Sequence, residues 1–199
     1  RLHPDGTRLA WVEWSHPNMP WDGTELWVAD IDPEREIAHA TRVAGGPEES
    51  IFQPRWSPRG DLHFVSDRTG WWNLYVVHAG EASPLCPREA EFGGPQWVFG
   101  LSRYAFLADG TLICSFTRDG CDRLGSLRPG SSTLKPFETP FTSHLGGGSV
   151  QSDPAGQVYF VGGSEKRRAA VIGLDPESGH VEVIKAFDAT EIDPGYFST

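Results

Sequence analysis

The strongest constraint on the fold is a repeat of turn glycines along the chain. Gly6, Gly60, Gly110 and Gly156 each lie between two short runs of strand-forming residues, and they follow one another at intervals of 54, 50 and 46 residues. A period of about 50 residues built from strands is typical of a β-propeller, in which each repeat is a small antiparallel sheet that packs against its neighbours. The spacing therefore predicts an all-β chain made of consecutive propeller blades.

Residue patterns around these turns predict about four blades of four strands each. After Gly60 the chain alternates, with Leu62, Phe64 and Ser66 on one face of a strand and Asp61, His63 and Val65 on the other. In the third blade the pattern predicts an inner strand from Trp97 to Leu107. We predict blades at about residues 1–45, 48–90, 92–142 and 145–187, followed by a linker at residues 188–199.

Closed propellers carry about four to eight blades, and the ring is usually completed by a strand from the opposite terminus. The tail of this chain contains Asp193-Pro194-Gly195, which is a poor closing strand. The sequence therefore predicts an open arc cut from a larger propeller of seven or eight blades, with the remaining blades as partners. Bare blade faces would also favour self-association of the chain.

Charge and composition exclude several classes of function. The net charge of −10 opposes binding to nucleic acid and to anionic membranes. No apolar run reaches the length of about 18 residues that spans a bilayer, and no secretory signal is evident, so we expect a cytoplasmic protein. Cys86, Cys114 and Cys121 lack metal-ligand spacing and the histidines are scattered, which predicts free thiols, no metal and no cofactor.

Catalytic residues are not expected on this chain. A nucleophile elbow needs a GxSxG motif on a turn between a strand and a helix. Gly148-Ser149-Val150 and Gly125-Ser126-Leu127 both lack that spacing, and the surrounding pattern contains no helix. Since catalytic triads are recognised by geometry, the mere presence of Ser, His and Asp predicts nothing.

Residues 48–75 resemble the propeller of the prolyl oligopeptidase family of serine peptidases, in its acylaminoacyl-peptidase and dipeptidyl-peptidase-like branch. This segment contains the elements WSPRG at residues 56–60 and SDRTG at residues 66–70, and the tail Ile192 to Thr199 resembles the linker to a C-terminal α/β-hydrolase domain. The resemblance implies that the catalytic Ser, Asp and His lie on that domain, outside this chain. The propeller would then gate the active site for short peptides and be inactive alone.

Both motif elements also occur in TolB-like propellers, which leaves a second hypothesis open. In that case the chain would be a protein-interaction scaffold without a peptidase domain. A hydrolase motif downstream of Thr199 would separate the two hypotheses.

The acidic pair Glu48-Glu49 is the candidate site. Its position before the WSPRG element resembles the paired glutamates with which dipeptidyl peptidase IV-type enzymes bind the free α-ammonium of a substrate. Two carboxylates suit one ammonium, because charge-assisted hydrogen bonds are strong and directional. The alternative is a solvated acidic turn, in which Arg55 could pair with either glutamate as structural support.

Neighbouring residues have simpler explanations. We expect Trp56, Trp71 and Trp72 to fill the space between blades, as aromatic residues on propeller strands do. Asp67 and Arg68 are predicted to form a local ion pair or a side-chain turn.

Overall fold

A computed structural model describes residues 1–144 and 149–187, and these residues contain sixteen strands and no helix. The strands form four antiparallel sheets, which confirms the prediction of an all-β chain built from blades. The chain divides into two compact units, Arg1–Phe99 and Gly100–Thr199. In the described ranges no helix is long and apolar enough to cross a membrane. The predicted linker at 188–199 and the predicted start of the fourth blade at 145–148 lie outside the described residues.

The first sheet has three strands where four were predicted. Its order is β1-β2-β3, and Trp11 on β1 lies opposite Trp27 on β2. The expected fourth strand is reduced to a single bridge between Leu2 and Leu9. The three strands are β1 (Arg8–Glu13), β2 (Thr24–Ile31) and β3 (Ile37–Gly46).

The second sheet follows the predicted order, but its second strand is buried on both faces. All five residues from Leu62 to Ser66 are buried, including His63 and Val65, which the alternating pattern had placed on a separate face. The segment around Gly93 covers that second face, since a Cβ built on Gly93 would lie 3.0 Å from Val65. The strands are β4 (Ile51–Trp56), β5 (Leu62–Ser66), β6 (Asn73–His78) and β7 (Glu81–Pro84).

One hydrophobic core joins the first two sheets. Ala10 and Leu26 of the first sheet pack with Ile51, Phe64 and Tyr75 of the second, and all five side chains are almost completely buried. Each large side chain in such a core contributes about 1.5 to 3 kcal/mol through burial. Apolar contact therefore holds the first two blades together, and a few hydrogen bonds such as that from the Ile51 N–H to the Thr24 hydroxyl also join them.

The second unit repeats this organisation with shorter strands. The inner strand predicted from Trp97 to Leu107 is only Tyr104–Phe106, because residues 97–100 form bends and a turn that ends at Gly100 with φ of 86°. The third sheet contains β8 (Tyr104–Phe106), β9 (Leu112–Arg118), β10 (Cys121–Leu127) and β11 (Lys135–Phe137). The fourth contains β12 (Ser143–His144), β13 (Gln151–Ser152), β14 (Val158–Ser164), β15 (Arg167–Leu174) and β16 (Val181–Ala186).

The four repeat glycines all lie in turns of the same conformation. Each repeat glycine has φ between 79° and 89°, a left-handed conformation that glycine adopts without steric cost. Each also donates its backbone N–H to the carbonyl oxygen three residues earlier, at 2.9 to 3.1 Å. The period of about 50 residues is therefore the spacing between the first hairpin turns of successive blades. The donor and acceptor pairs are Gly6 with His3, Gly60 with Ser57, Gly110 with Leu107 and Gly156 with Asp153.

Candidate functional site

The two candidate glutamates lie in the tight connection between the first and second sheets. Strand β3 ends at Gly46, and Glu49 returns to form a bridge with Gly46 before β4 begins at Ile51. The carbonyl oxygen of Glu49 accepts a 2.9 Å hydrogen bond from the backbone N–H of Thr24, which fixes the connection to the first sheet. Glu48 is exposed at the tip of this turn, and Glu49 is half-buried.

The carboxylate of Glu49 is held by residues from the second blade. Its Oε1 accepts hydrogen bonds from the Ser66 hydroxyl at 2.6 Å and from Arg68 Nε at 2.8 Å, and it lies 2.7 Å from Arg68 Nη2. All of these contacts fall on Oε1. Among the residues that the structure describes, none is recorded as a hydrogen-bond partner of Oε2, and the Glu49 side chain is 19% exposed.

The guanidinium of Arg68 is positioned by aromatic rings. It lies 4.8 Å from the ring centre of Tyr75 and 5.9 Å from that of Phe64, and these two rings stack with each other at 5.5 Å. Cations are attracted to the faces of aromatic rings, so the two rings restrict where Arg68 can lie. Arg68 in turn fixes the orientation of the Glu49 carboxylate.

A third carboxylate belongs to the same cluster. Asp67 Oδ1 accepts a 2.8 Å hydrogen bond from the backbone N–H of Ser50, directly after the glutamates. Burial raises the pKa of Asp67, and the nearby charge of Glu49 adds to this effect, although hydrogen bonds to the carboxylate oppose it. The carboxylates of Glu49 and Asp67 and one guanidinium meet here, and exposed Glu48 is the next residue in the chain. The cluster therefore carries excess negative charge at neutral pH and favours a cationic ligand.

Arg68 is the residue that sequence reasoning did not connect with the site. It was expected to pair locally with Asp67, whereas it pairs with Glu49, nineteen residues earlier in the chain. The SDRTG element would have been the signal, because Ser66, Asp67 and Arg68 all bond to residues 49 and 50. Arg55 is half-buried on β4, opposite His63 in the register, and its pairing with a glutamate stays a prediction.

The expected packing role of the tryptophans fits Trp56 and Trp72. Trp56 is 9% exposed within the core, and its Nε1 donates to the carbonyl oxygen of Arg1 at 3.0 Å. Trp72 is half-buried and meets Phe52 edge to face. Trp71 is 40% exposed, so the packing interpretation does not extend to its whole side chain.

A groove of about 330 Å³ lies beside the turn that carries the glutamates. Its lining includes Gly46 and Pro47 of that turn and Trp14 and Asn18 of the loop after β1, but neither of the two glutamates. The Asn18 side chain donates a 3.0 Å hydrogen bond to the carbonyl oxygen of Pro47, which ties the loop to the turn. The acidic turn therefore borders a concave surface large enough for a few heavy atoms of a ligand.

Ser115, His144 and Asp122 lie together in the second unit without forming a catalytic triad. The Ser115 hydroxyl is 2.7 Å from His144 Nδ1, but Ser115 is completely buried and cannot reach a substrate. Asp122 bonds to the backbone N–H of His144 at 2.6 Å, so it does not orient the imidazole as a triad carboxylate does. Within the described ranges no group of three or more His, Cys, Asp or Glu residues could hold a metal ion.

Solved structures above 30% identity include two puromycin-hydrolysing enzymes. A puromycin hydrolase is 37% identical with a TM-score of 0.90, and the match covers 99% of this chain and 30% of that one. A puromycin-hydrolysing peptidase from Mycobacterium tuberculosis is 35% identical with a TM-score of 0.91, covering 100% of this chain and 30% of the other. The chain thus spans about 30% of the length of these relatives. No protein-family model and no curated protein sequence matches it.

Two more distant structures share the fold alone. Prolyl oligopeptidase B from Galerina marginata is 12% identical with a TM-score of 0.70, and the match covers 98% of this chain and 26% of that one. TolB from Acinetobacter baumannii is 18% identical with a TM-score of 0.63, covering 90% of this chain and 41% of the other. Both the peptidase and the TolB resemblances of the sequence thus have structural counterparts, at 35 to 37% identity for the puromycin-hydrolysing enzymes and 18% for this TolB. Taken together, these likenesses show that the chain is a β-propeller segment similar over nearly its whole length to part of two puromycin-hydrolysing enzymes. It also shares its fold with part of a prolyl oligopeptidase, the family that residues 48–75 resemble.

Proposed function

We propose that this propeller segment binds the free amino terminus of short peptides or aminoacyl compounds and presents them to a hydrolase domain of the same protein. The observation that carries this proposal is the arrangement of Glu49, whose Oε1 is occupied by Ser66 and Arg68 while exposed Glu48 stands next to it. The parent protein would be a serine peptidase of the acylaminoacyl-peptidase or dipeptidyl-peptidase type.

The chemistry of the anchor follows from its donors and acceptors. An α-ammonium offers three N–H donors, and carboxylate oxygens of Glu48 and Glu49 can accept two of them through charge-assisted bonds. Arg68 neutralises part of the local charge and keeps Glu49 from moving with the ligand. Holding the amino terminus at a fixed place sets how many residues separate it from the cleaved bond, which is how positioning contributes to rate and selectivity.

The names of the two relatives support a substrate with a free amino group. Both are described as hydrolysing puromycin, a compound that carries an aminoacyl group with a free α-ammonium. We propose the same class of substrate for the parent of this chain. The TolB likeness, at 18% identity, supports the fold and adds no observation in favour of a scaffold role.

The proposal is tested in the full-length parent protein with Glu48→Gln, Glu49→Gln and the double variant. The measurement is kcat/KM on chromogenic aminoacyl and dipeptidyl substrates with free or acetylated amino termini. A hydrogen bond to a charged group contributes about 1.5 to 3 kcal/mol, so we expect the preference for free amino termini to fall about 10- to 150-fold.

Glu81→Gln is the matched control, because Glu81 is an exposed glutamate on β7 of the same sheet. This variant should keep the wild-type preference. If the double variant at the acidic pair also keeps the preference for free amino termini, the anchor does not exist.

The isolated chain should show no turnover of the same substrates, because we place the catalytic residues on the hydrolase domain. Turnover by the isolated chain that is blocked by a serine-directed reagent would contradict this division. Self-association of the isolated chain is a further proposal, and the exposed Val183 and Ile184 on β16 are the surface that supports it.

A further inference from the structure

Exposed aromatic residues lie close to the acidic turn. The rings of Trp21 and Trp97 are in contact, with centroids 4.3 Å apart and planes tilted by 41°. Trp97 is 74% exposed and Phe99 is 95% exposed, while Trp21 is half-buried beneath its partner. Clusters of exposed large apolar side chains can mark a surface that binds another molecule.

Hydrogen bonds place both tryptophans at the start of β4, immediately after the glutamates. The carbonyl oxygen of Pro20, next to Trp21, accepts a 2.6 Å bond from the Ser50 hydroxyl. The side-chain amide of Gln96, next to Trp97, donates a 2.8 Å bond to the carbonyl oxygen of Ile51. Two separate loops are thus fastened to residues 50 and 51, one and two positions beyond Glu49.

We infer that Trp21 and Trp97 form an apolar subsite for the aromatic side chain of the residue whose ammonium group is held by the acidic pair. The inference rests on the proposed function of Glu48 and Glu49. Charge complementarity selects the occupant, because an apolar surface beside excess carboxylate fits a group that combines a cation with an aromatic ring. An amino-terminal aromatic residue has this combination within one residue.

The geometry of the pair suits a planar ligand. Offset and tilted aromatic contacts are favoured over face-to-face stacking, and a third ring placed against Trp97 can continue the tilted series. Because Trp97 is largely exposed, its outer face remains accessible, while Trp21 supports the inner face. The subsite therefore determines specificity and takes no part in the chemical step.

The test uses the full-length parent protein with Trp97→Ala, Trp97→Phe and the control Phe187→Ala, which truncates an exposed aromatic residue in the other unit. The measurement is kcat/KM for matched phenylalanyl and alanyl substrates with free amino termini. We expect Trp97→Ala to lower the phenylalanyl-to-alanyl ratio about tenfold, a typical effect of losing one aromatic contact. Trp97→Phe should retain most of the ratio, and Phe187→Ala all of it.

Two outcomes would overturn the subsite. In one, the ratio is unchanged in Trp97→Ala. In the other, both substrates lose activity equally in Trp97→Ala and in Trp97→Phe, which means that another part of the protein packs on the aromatic pair. If Trp97→Ala does not fold, two other measurements decide the question: the phenylalanyl-to-alanyl ratio of Trp97→Phe, and the inhibition of the wild type by phenylalanine amide and by alanine amide. Equal inhibition by the two amides overturns the subsite.

Failure of this inference is distinguishable from failure of the proposed anchor. The anchor is measured by the preference for free over acetylated amino termini in the glutamate variants. The subsite is measured by the preference for phenylalanyl over alanyl substrates in the Trp97 variants, with the preference for free amino termini unchanged.

Discussion

The two units of the chain each contain an arginine–carboxylate pair, and the pairs differ in how much of the carboxylate is used. In the second unit, Asp122 Oδ1 bonds to Arg103 Nη1 at 3.3 Å and to the Thr117 hydroxyl, while Oδ2 accepts from the backbone N–H of His144. In the first unit, the recorded contacts of the Glu49 carboxylate all fall on Oε1. A carboxylate with both oxygens occupied holds the fold together, whereas one with an oxygen left over can also bind a ligand.

The pair in the second unit is also less exposed to solvent than the pair in the first unit. The side chains of Arg103 and Asp122 are 12% and 15% exposed, compared with 31% and 19% for Arg68 and Glu49. Burial works to raise the pKa of Asp122, but hydrogen bonds from Thr117 and His144 and the charge of Arg103 outweigh it, so the pKa lies below its ordinary value. We therefore interpret the Asp122 pair as structural and the Glu49 pair as the candidate site.

The largest expected effect is the loss of stability in Asp122→Asn. The side chains of Arg103 and Asp122 are 12% and 15% exposed, so we expect the cost to approach the value of about 3 to 5 kcal/mol that is typical of breaking a buried ion pair. All eight tryptophans lie in the first unit, so fluorescence follows that unit and circular dichroism follows both. Urea unfolding of the isolated chain should show a shifted transition by circular dichroism that fluorescence does not show.

Asp119→Asn is the control for that experiment, because Asp119 lies in the turn between β9 and β10 of the same sheet and its side chain is 81% exposed. This variant should leave the urea unfolding transitions followed by circular dichroism and by fluorescence unchanged. If Asp122→Asn lowers the free energy of unfolding by less than about 1 kcal/mol, the Arg103–Asp122 pair contributes no more than an exposed ion pair does. The contrast with the Arg68–Glu49 pair would then be lost.

Acid should destabilise the second unit more than the first. In the second unit the pKa values of Asp122 and Asp175 are both lowered, so their contribution is present above the unfolded value near 4 and is lost as pH falls. In the first unit the pKa of Asp5 is lowered to about 2, but that of Asp67 is raised, which has the opposite effect on stability. Between pH 5 and 3 the midpoint of urea unfolding should fall less by fluorescence than by circular dichroism, and equal shifts would count against this comparison.

The smallest expected effect is the stability change in Glu49→Gln. The amide oxygen can still accept from Ser66 and Arg68, and a partly exposed ion pair contributes about 1 kcal/mol or less. Urea unfolding followed by fluorescence should therefore remain close to that of the wild type, while the same variant alters substrate preference in the parent protein. A loss as large as that expected for Asp122→Asn would assign Glu49 to the fold instead of the site.

Sequence patterns predicted the hairpins of the blades well and their environments less well. The turn at Gly60 and strands β4 to β6 follow directly from residues 53–77, because a period of two and a left-handed glycine are local properties. Burial of His63 and Val65 was missed, since the covering segment around Gly93 lies far away in sequence. Burial of His63 also lowers its pKa, although its interactions with Asp61 work in the opposite direction.

The candidate site was half predictable. The sequence indicated Glu48 and Glu49 by their place before WSPRG, but a carboxylate in a loop does not reveal its partners. Ser66 and Arg68 lie next to Glu49 because β5 pairs with β4, which places Ser66 opposite Ile51 in the register. The aromatic pair of Trp21 and Trp97 comes from two loops 76 residues apart, and no local pattern connects them.

The sequence by itself determined the class of the fold, the repeat and the family resemblance, because turn glycines, strand periodicity and motifs are encoded in neighbouring residues. Tertiary structure alone decided which carboxylate oxygens are occupied, which arginine holds Glu49 and which aromatic rings meet beside it. Those features depend on contacts between residues distant along the chain, which form only when the sheets pack. The glycine repeat therefore specifies the blades, and the contacts between them create the candidate site.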